Sequence, residues 1–460
     1  MNMKFTLRLT LLIGFFFALA PNAFSNTTPP DSTTSVVDKV GAALLVETGR
    51  TLYAEGKMKD ALIKFRQASV KDPNSWTAPY WISQCHYRMN NYGYALKYAL
   101  LAKTQGGEKV SEEISFILGS CYHRLGVLDS AKMNYEAAML TLNKRRSKEL
   151  LIPQLILEVE YAKTALAADT KQLTRKRLPG RVNSGFDDYN IVIADGGKTM
   201  YFTSRRSNTT GGNMNPDDQQ FFEDTYRTRF DFDMEEWDSV TNEIGKINSD
   251  GFDALNFISA DGLEGIMTLN TTTLDIRKRT KGSDICELKM SSKGTWNTPK
   301  IIKNKTINTS YFEGSASLTA DGNTMYFVTD RKGDKSSTDI YVVQKIGKAW
   351  GEAKPLPMTI NSPGRETTPY ITPDGRFLFY SSDGLVGMGG LDIYVVENKG
   401  SEWGEPINLG PGINSVNNDS HFVYSKELKK AFVTGYELVG DKSSLDIYEI
   451  DMSTYKLPGE

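Results

Sequence analysis

Two internal periods follow one another along this chain, and a sequence that repeats itself in two ways has few folds open to it. The first period is helical. Counting from Gly49, it passes through Ala61, Phe65, Ala68 and Pro73, and Ala95, Ala99 and Ala102 stand 34 residues beyond Ala61, Phe65 and Ala68. A third copy, Gly119, Tyr122, Ala131, Tyr135 and Ala138, is displaced by two residues around Gly106-Gly107-Glu108. The small residues let two antiparallel helices approach closely, the aromatic rings of Phe65 and Tyr135 fill the groove between repeats, and Pro73 stops a second helix. Leu150 to Ala168 carries apolar residues at helical spacing and is expected to cap the stack, which gives a helical domain over 41–168.

After a polar stretch read as a linker over 169–177, the period changes to alternating strands. One unit runs Ile307-Asn308, Glu313, TADG from Thr319, MYFVTD from Met325, Asp339-Ile340-Tyr341 and Trp350; the next repeats it 53 residues later, from Ile360-Asn361 to Trp403. Weaker copies begin at Val182-Asn183, Ile247-Asn248 and Ile413-Asn414. Asp-Gly between two apolar runs is a hairpin signal, so each unit reads as four strands: before the turn, after it, at the Asp-Ile-Tyr position, and after the Trp. Four-stranded units in series make a β-propeller, here over 178–454. The fifth unit lacks its fourth strand, and Leu178-Pro179-Gly180-Arg181-Val182-Asn183 resembles Leu409-Gly410-Pro411-Gly412-Ile413-Asn414, so the first strand is expected to complete the last of five blades and hide its edge. The fold class is thus α plus all-β: an α-solenoid, then a five-bladed propeller.

The residues of the first period resemble the tetratricopeptide family, which implies a groove that could hold a peptide or a partner helix; the array could equally act as a spacer. TADGNTMYF and TPDGRFLFYSSDG…GGLDIYVV resemble WD40-like repeats of the TolB type. The order of export signal, tetratricopeptides and propeller resembles PorE-like periplasmic proteins of the Bacteroidota type IX secretion system, but without the OmpA-like domain that follows in that family. The resemblance implies protein partners in the cell envelope.

Five residues after the Asn of each unit stands a carboxylate: Asp188, Asp253, Glu313, Glu366 and Asp419. Fivefold repetition at the start of the innermost strand predicts a ring of acids around one mouth of the central channel. Such a ring would receive a cation or basic groups of a partner; the other reading is that each acid accepts hydrogen bonds from the neighbouring blade's backbone. The Asp of the Asp-Ile-Tyr position (Asp224, Asp284, Asp339, Asp392, Asp446) is expected to fix the preceding loop, and the Trp series to pack between sheets. The loops entering the first strand and joining second to third share one face with the acids and include the irregular 205–223 and 270–283. That face is therefore expected to bind partners, free of the helical array.

Composition excludes several classes. With 54 Lys+Arg against 56 Asp+Glu the net charge is -2, which gives no pull toward nucleic acid. Lys4 and Arg8, the apolar run Leu9–Ala20 and Ala23-Phe24-Ser25 read as a signal peptide over 1–25, followed by a linker over 26–40, and place the protein in the periplasm, where it would meet the outer membrane through partners. No second apolar run suggests a membrane span. Cys85, Cys121 and Cys286 lack metal or redox spacing and are expected as buried thiols. His86 and His123 beside Cys85 and Cys121 leave a nucleophile pair conceivable, but no GxSxG, HExxH or phosphate-binding loop occurs. The expectation is a non-enzymatic protein-binding scaffold without catalytic residues, cofactor or metal site; the alternative is a carbohydrate- or metal-binding, possibly glycosidic, propeller.

Overall fold

A computed structural model describes residues 34–169, 173–270, 282–331, 337–439 and 442–455. The stretch read as a signal peptide over 1–25 and most of the irregular loop at 270–283 lie outside the described residues.

Helices α1 (Val36–Ala54), α2 (Met58–Lys71), α3 (Thr77–Arg88), α4 (Tyr92–Gly106), α5 (Ile114–Arg124) and α6 (Leu128–Thr141) form three antiparallel pairs, followed by α7 (Lys144–Glu149) and the capping helix α8 (Ile152–Ala168). This is a tetratricopeptide-like array. Its first helix begins at Val36, inside the stretch read as a linker, with the Ser35 hydroxyl capping the Asp38 N–H. The small positions have a steric cause: a Cβ on Gly49 would stand 2.5 Å from the Phe65 ring, and one on Gly119 would stand 2.7 Å from the Tyr135 ring. In the middle repeat the same two positions are Ser83 and Ala99, so a larger residue on one helix is matched by a smaller one on its partner. Phe65 also stacks on Trp81 of the next repeat, 5.9 Å between centroids.

The remainder is five small antiparallel sheets. The first blade is β2 (Asp188–Ala194), β3 (Thr199–Ser204), β4 (Asp224–Asp231) and β5 (Glu236–Trp237); the second is β6 (Phe252–Ile258), β7 (Glu264–Asn270), β8 (Asp284–Lys289) and β9 (Lys300–Ile301). The third is β10 (Glu313–Leu318), β11 (Thr324–Thr329), β12 (Asp339–Ile346) and β13 (Ala349–Trp350), with β14 (Lys354–Pro355) also on β12. The fourth is β15 (Glu366–Ile371), β16 (Phe377–Ser382), β17 (Asp392–Glu397) and β18 (Ile407–Asn408). The fifth, β19 (Ser420–Ser425), β20 (Lys430–Val439) and β21 (Lys442–Asp451), is closed by β1 (Arg175–Arg177), which pairs with β21 from Arg175↔Ile450 to Arg177↔Tyr448. The closing strand therefore lies three residues earlier than the domain start read at Leu178, within the supposed linker. The first strands touch around the ring, that of the fifth blade meeting that of the first.

The outer strands are only two residues long in the first four blades and three in the fifth; that of the first blade contains the Trp rather than follows it, and the third blade has both β13, which contains it, and β14, which follows it. Each Trp reaches the preceding blade: Trp237 lies 6.0 Å from Phe432, Trp296 lies 6.4 Å from Tyr201 and Trp403 lies 6.0 Å from Tyr326. Gly322 and Gly375 close the hairpins of the third and fourth blades at φ +66 and +74, a conformation that costs a side chain. The fifth blade puts Lys429 at φ 51 in its turn, which is why its copy of the repeat is weak in the sequence.

Candidate functional site

The five repeat-equivalent acids do not form an exposed ring. Asp188, Asp253, Glu313, Glu366 and Asp419 are each 0% exposed. Each accepts from the backbone N–H and the hydroxyl of the residue four before it: Ser184, Ser249, Thr309, Ser362 and Ser415. The partners lie in the acid's own incoming loop rather than in a neighbouring blade's backbone, so both expectations for this position are corrected. Arg206 to Asp188 at 2.6 Å, Arg331 to Glu313 at 3.3 Å and Arg175 to Asp419 at 2.6 Å add charge partners for three of them. Burial pushes Asp253 up to about 8 and Glu366 up to about 7, so these two keep protons near neutrality. Among the described residues no cluster of His, Cys, Asp and Glu could hold a metal ion.

The Asn that marks each unit has a role that its spacing alone did not disclose. Asn183, Asn248, Asn308, Asn361 and Asn414 each accept from one backbone N–H of the preceding blade's third strand and donate back to the carbonyl of the same residue: Ile447, Thr225, Ile285, Ile340 and Ile393. The side chain imitates one rung of a strand ladder. The signal that could have revealed it is the apolar residue before the Asn and the Ser or Thr after it, constant in all five units. Two of the third-strand Asp residues hold the preceding loop as expected, Asp224 accepting from Thr210 N–H at 2.7 Å and Asp392 from Met388 N–H, whereas Asp446 pairs with Arg177 of the closing strand at 2.9 Å.

Along the axis the first strands enclose a channel of about 440 Å³. Every first strand carries a bulge there, and Asn190, Ser315, Thr368 and His421 adopt left-handed backbone within it. These bulges stitch blades together: Asn190 Nδ2 donates to Leu255 O at 2.8 Å, and His421 N–H donates to Thr368 Oγ1 at 3.2 Å. The carboxylates lining the channel, Asp195 and Glu427, are exposed at the Asp-Gly-turn rim. Burial holds the His421 imidazole down to about 3, so it is neutral.

The helical array packs on the face that carries the loops entering the first strands and joining second to third, the face expected to be free of it. Gln219 in the first blade's loop donates to Asp60 at 2.9 Å and receives Lys59 Nζ on its carbonyl at 2.7 Å. Ser443 of the fifth blade donates to Met89 O at 2.6 Å. The fourth blade's loop enters deepest: Met388, 1% exposed, joins Tyr135, Ile152, Val159 and Ala162 in one apolar cluster, and its carbonyl accepts from His123 Nε2 at 2.9 Å. Arg124 donates to Val416 O at 2.8 Å. The fit admits no side chain on Gly390, whose Cβ would lie 1.9 Å from Asn418 Oδ1 and 3.0 Å from the Arg124 guanidinium. Arg175 pairs with Ile450, so the chain does enter its outermost strand from the Asp-Gly-turn end; the array nonetheless packs on the opposite face, because strand order does not dictate where the helices before that strand lie.

Next to the Met89 contact, α1 and α3 carry a half-exposed platform. Arg50 lies 5.3 Å over Trp81, Arg88 lies 4.7 Å over Tyr53, and Tyr53 meets Trp81 edge-on at 5.4 Å. A guanidinium spread on an aromatic face can still donate in its own plane, and Arg50 does so to Glu47 at 2.8 Å. Burial pushes the Cys85 and Cys121 thiols beside His86 and His123 up to about 12, which favours the thiol over the thiolate at neutral pH.

Neither a protein-family model nor a curated protein matches this chain. Solved structures similar to parts of it include the first TPR of Spaghetti (RPAP3) bound to an HSP90 peptide, 20% identical over 28% of this chain and 96% of that one, TM-score 0.24. The Yersinia enterocolitica type III secretion chaperone SycD with a peptide of the translocator YopD is 19% identical over 28% of this chain and 99% of that one, TM-score 0.26. A glycoside hydrolase is 10% identical over 65% of this chain and 98% of that one, TM-score 0.41.

Proposed function

We propose that this chain is a non-enzymatic protein-binding scaffold of the periplasm, serving a cell-envelope assembly of the type IX secretion kind. The observation that carries the reading is the Arg50–Trp81 and Arg88–Tyr53 platform, presented on an array that the propeller loops hold in place. Large aromatic side chains with arginine are the residue types that dominate binding energy where proteins meet. The order of leader, array and propeller supports the envelope setting, and the near-neutral charge supports protein rather than nucleic-acid partners.

The test is cross-linking of envelope extracts followed by recovery of the chain with its partner. Replacing Arg50 and Arg88 together by Ala is expected to lose the partner, whereas Asp321→Asn, on the opposite propeller face, retains it. A partner kept by the double variant overturns the platform. A soluble monomer whose melting temperature rises with added sugar favours the carbohydrate-binding reading, for which the axial channel is the natural container. The exported protein is expected to begin after Ser25; a native mass that still includes Met1 would exclude the periplasmic setting.

A further inference from the structure

We infer that the seam between the helical array and the propeller is a proton-operated latch, and that the Glu158 carboxyl is the group whose charging opens it. Glu158 is 4% exposed on α8. Its Oε1 accepts from Gln154 Nε2 at 3.0 Å, and the same amide reaches Asp383 O of the fourth blade at 3.3 Å, which seats the carboxyl where helix meets propeller. Its Oε2 has no hydrogen-bond partner. A buried carboxylate in that state is costly, whereas the protonated acid needs far less.

The groups around it do not supply the missing charge. Arg124 of α5, Tyr135 of α6, and Asp383 and Asp392 of the fourth blade all face Glu158. Asp392 is 0% exposed, with Oδ2 bonded to Met388 N–H and to Asn408 Nδ2 at 2.8 Å, and Oδ1 without a partner. It in turn faces Asp419, Arg124, Tyr161 and Tyr394. Asp419 has its own cation in Arg175 at 2.6 Å. His123 adds none, because burial and then Arg124 hold it down to about 4. Asp383 likewise has its own cation in Arg365 at 2.8 Å, so Arg124 is the one guanidinium that faces both Glu158 and Asp392. Asp392 is held within its blade by Asn408 and its own loop, so Glu158, on the docking surface of α8, is the carboxyl that leaves water when the array seats.

The sign follows from linkage. Burial raises Glu158 to about 8, then Arg124 and Gln154 lower it and Asp392 and Asp383 raise it. A free glutamate titrates at about 4.3. The docked state therefore binds the extra proton, and this contribution is whole below the free value and lost as pH rises through about 8. Between the two, the docking equilibrium falls by up to about tenfold per pH unit. Undocking withdraws Met388 from the helical core and uncovers the loops of the first, fourth and fifth blades.

Amide hydrogen exchange of the full chain between pH 5.5 and 8.5, corrected for the intrinsic pH dependence of exchange, tests this. Protection in α8 and in 383–391 is expected to fall with pH while β16 stays protected. Glu158→Gln, neutral and of the same shape, is expected to remain docked and lose the slope. Met388→Ala is expected to open the seam more at every pH and keep the slope. A pH-independent seam in the wild type, an unchanged slope in Glu158→Gln, or a Glu158→Gln chain that is open throughout would each overturn the latch.

Discussion

At the scale of single residues, complementary volumes and side-chain ladder rungs carry the two domains. Phe65 is fully buried over Gly49 and stacked on Trp81, so Phe65→Ala is expected to destabilise the array by about 3 kcal/mol or more, read from urea unfolding followed at the helical signal. A loss of a few tenths would mean that the ring is not the keystone of its repeat. Asn361 is 3% exposed and bonds Ile340 on both its N–H and C=O, and Leu356 O besides. Removing it leaves a buried donor and two acceptors to find new partners, so Asn361→Ala should cost about 2 kcal/mol or more in the propeller's chemical unfolding.

At the scale of elements, the repeat registers were legible because each repeats a volume or a turn. Gly-Phe and Gly-Tyr pairs, Asp-Gly hairpins and the Trp series are local steric facts, and all fall where spacing put them. The acids were legible as a series but not as to their surroundings: repetition says that an environment recurs, whereas burial by the preceding Ser or Thr is set by a loop that comes inward. The outer strands were overdrawn because two-residue pairing leaves no alternation to read. Closure was foreseen from the missing fourth strand, but its place was not, since Arg175-Lys176-Arg177 is polar and reads as a linker until Arg175 and Arg177 meet Asp419 and Asp446. A chain that begins at Leu178 lacks β1 and exposes the edge of β21. It is expected to melt earlier than a chain that keeps 173–177 and to self-associate in size-exclusion chromatography; equal behaviour of the two would show that β1 is dispensable.

At the scale of the whole molecule, the array is fastened to the propeller through the face whose loops vary most. Gly390→Ala is expected to push the fourth-blade loop off Asn418 and Arg124, and small-angle scattering should then report a larger radius of gyration with both domains still folded. An unchanged radius would mean that the loop shifts without releasing the helices.

The clasp formed by β1 also sets an order of events for a newly made chain. Its two halves, Arg175–Arg177 and β21, stand at opposite ends of the propeller sequence, and bringing together ends separated by some hundreds of residues costs on the order of 5 kcal/mol of loop-closure entropy. The clasp must therefore shut last, after the intervening blades have collapsed and shortened the path between its halves. Until then the fifth blade offers an unpaired edge to any neighbour, and the first segment of another copy can fill it as well as its own. Crowded synthesis would then give exchanged dimers, so the clasp makes the yield of monomer a matter of timing and concentration rather than of stability alone.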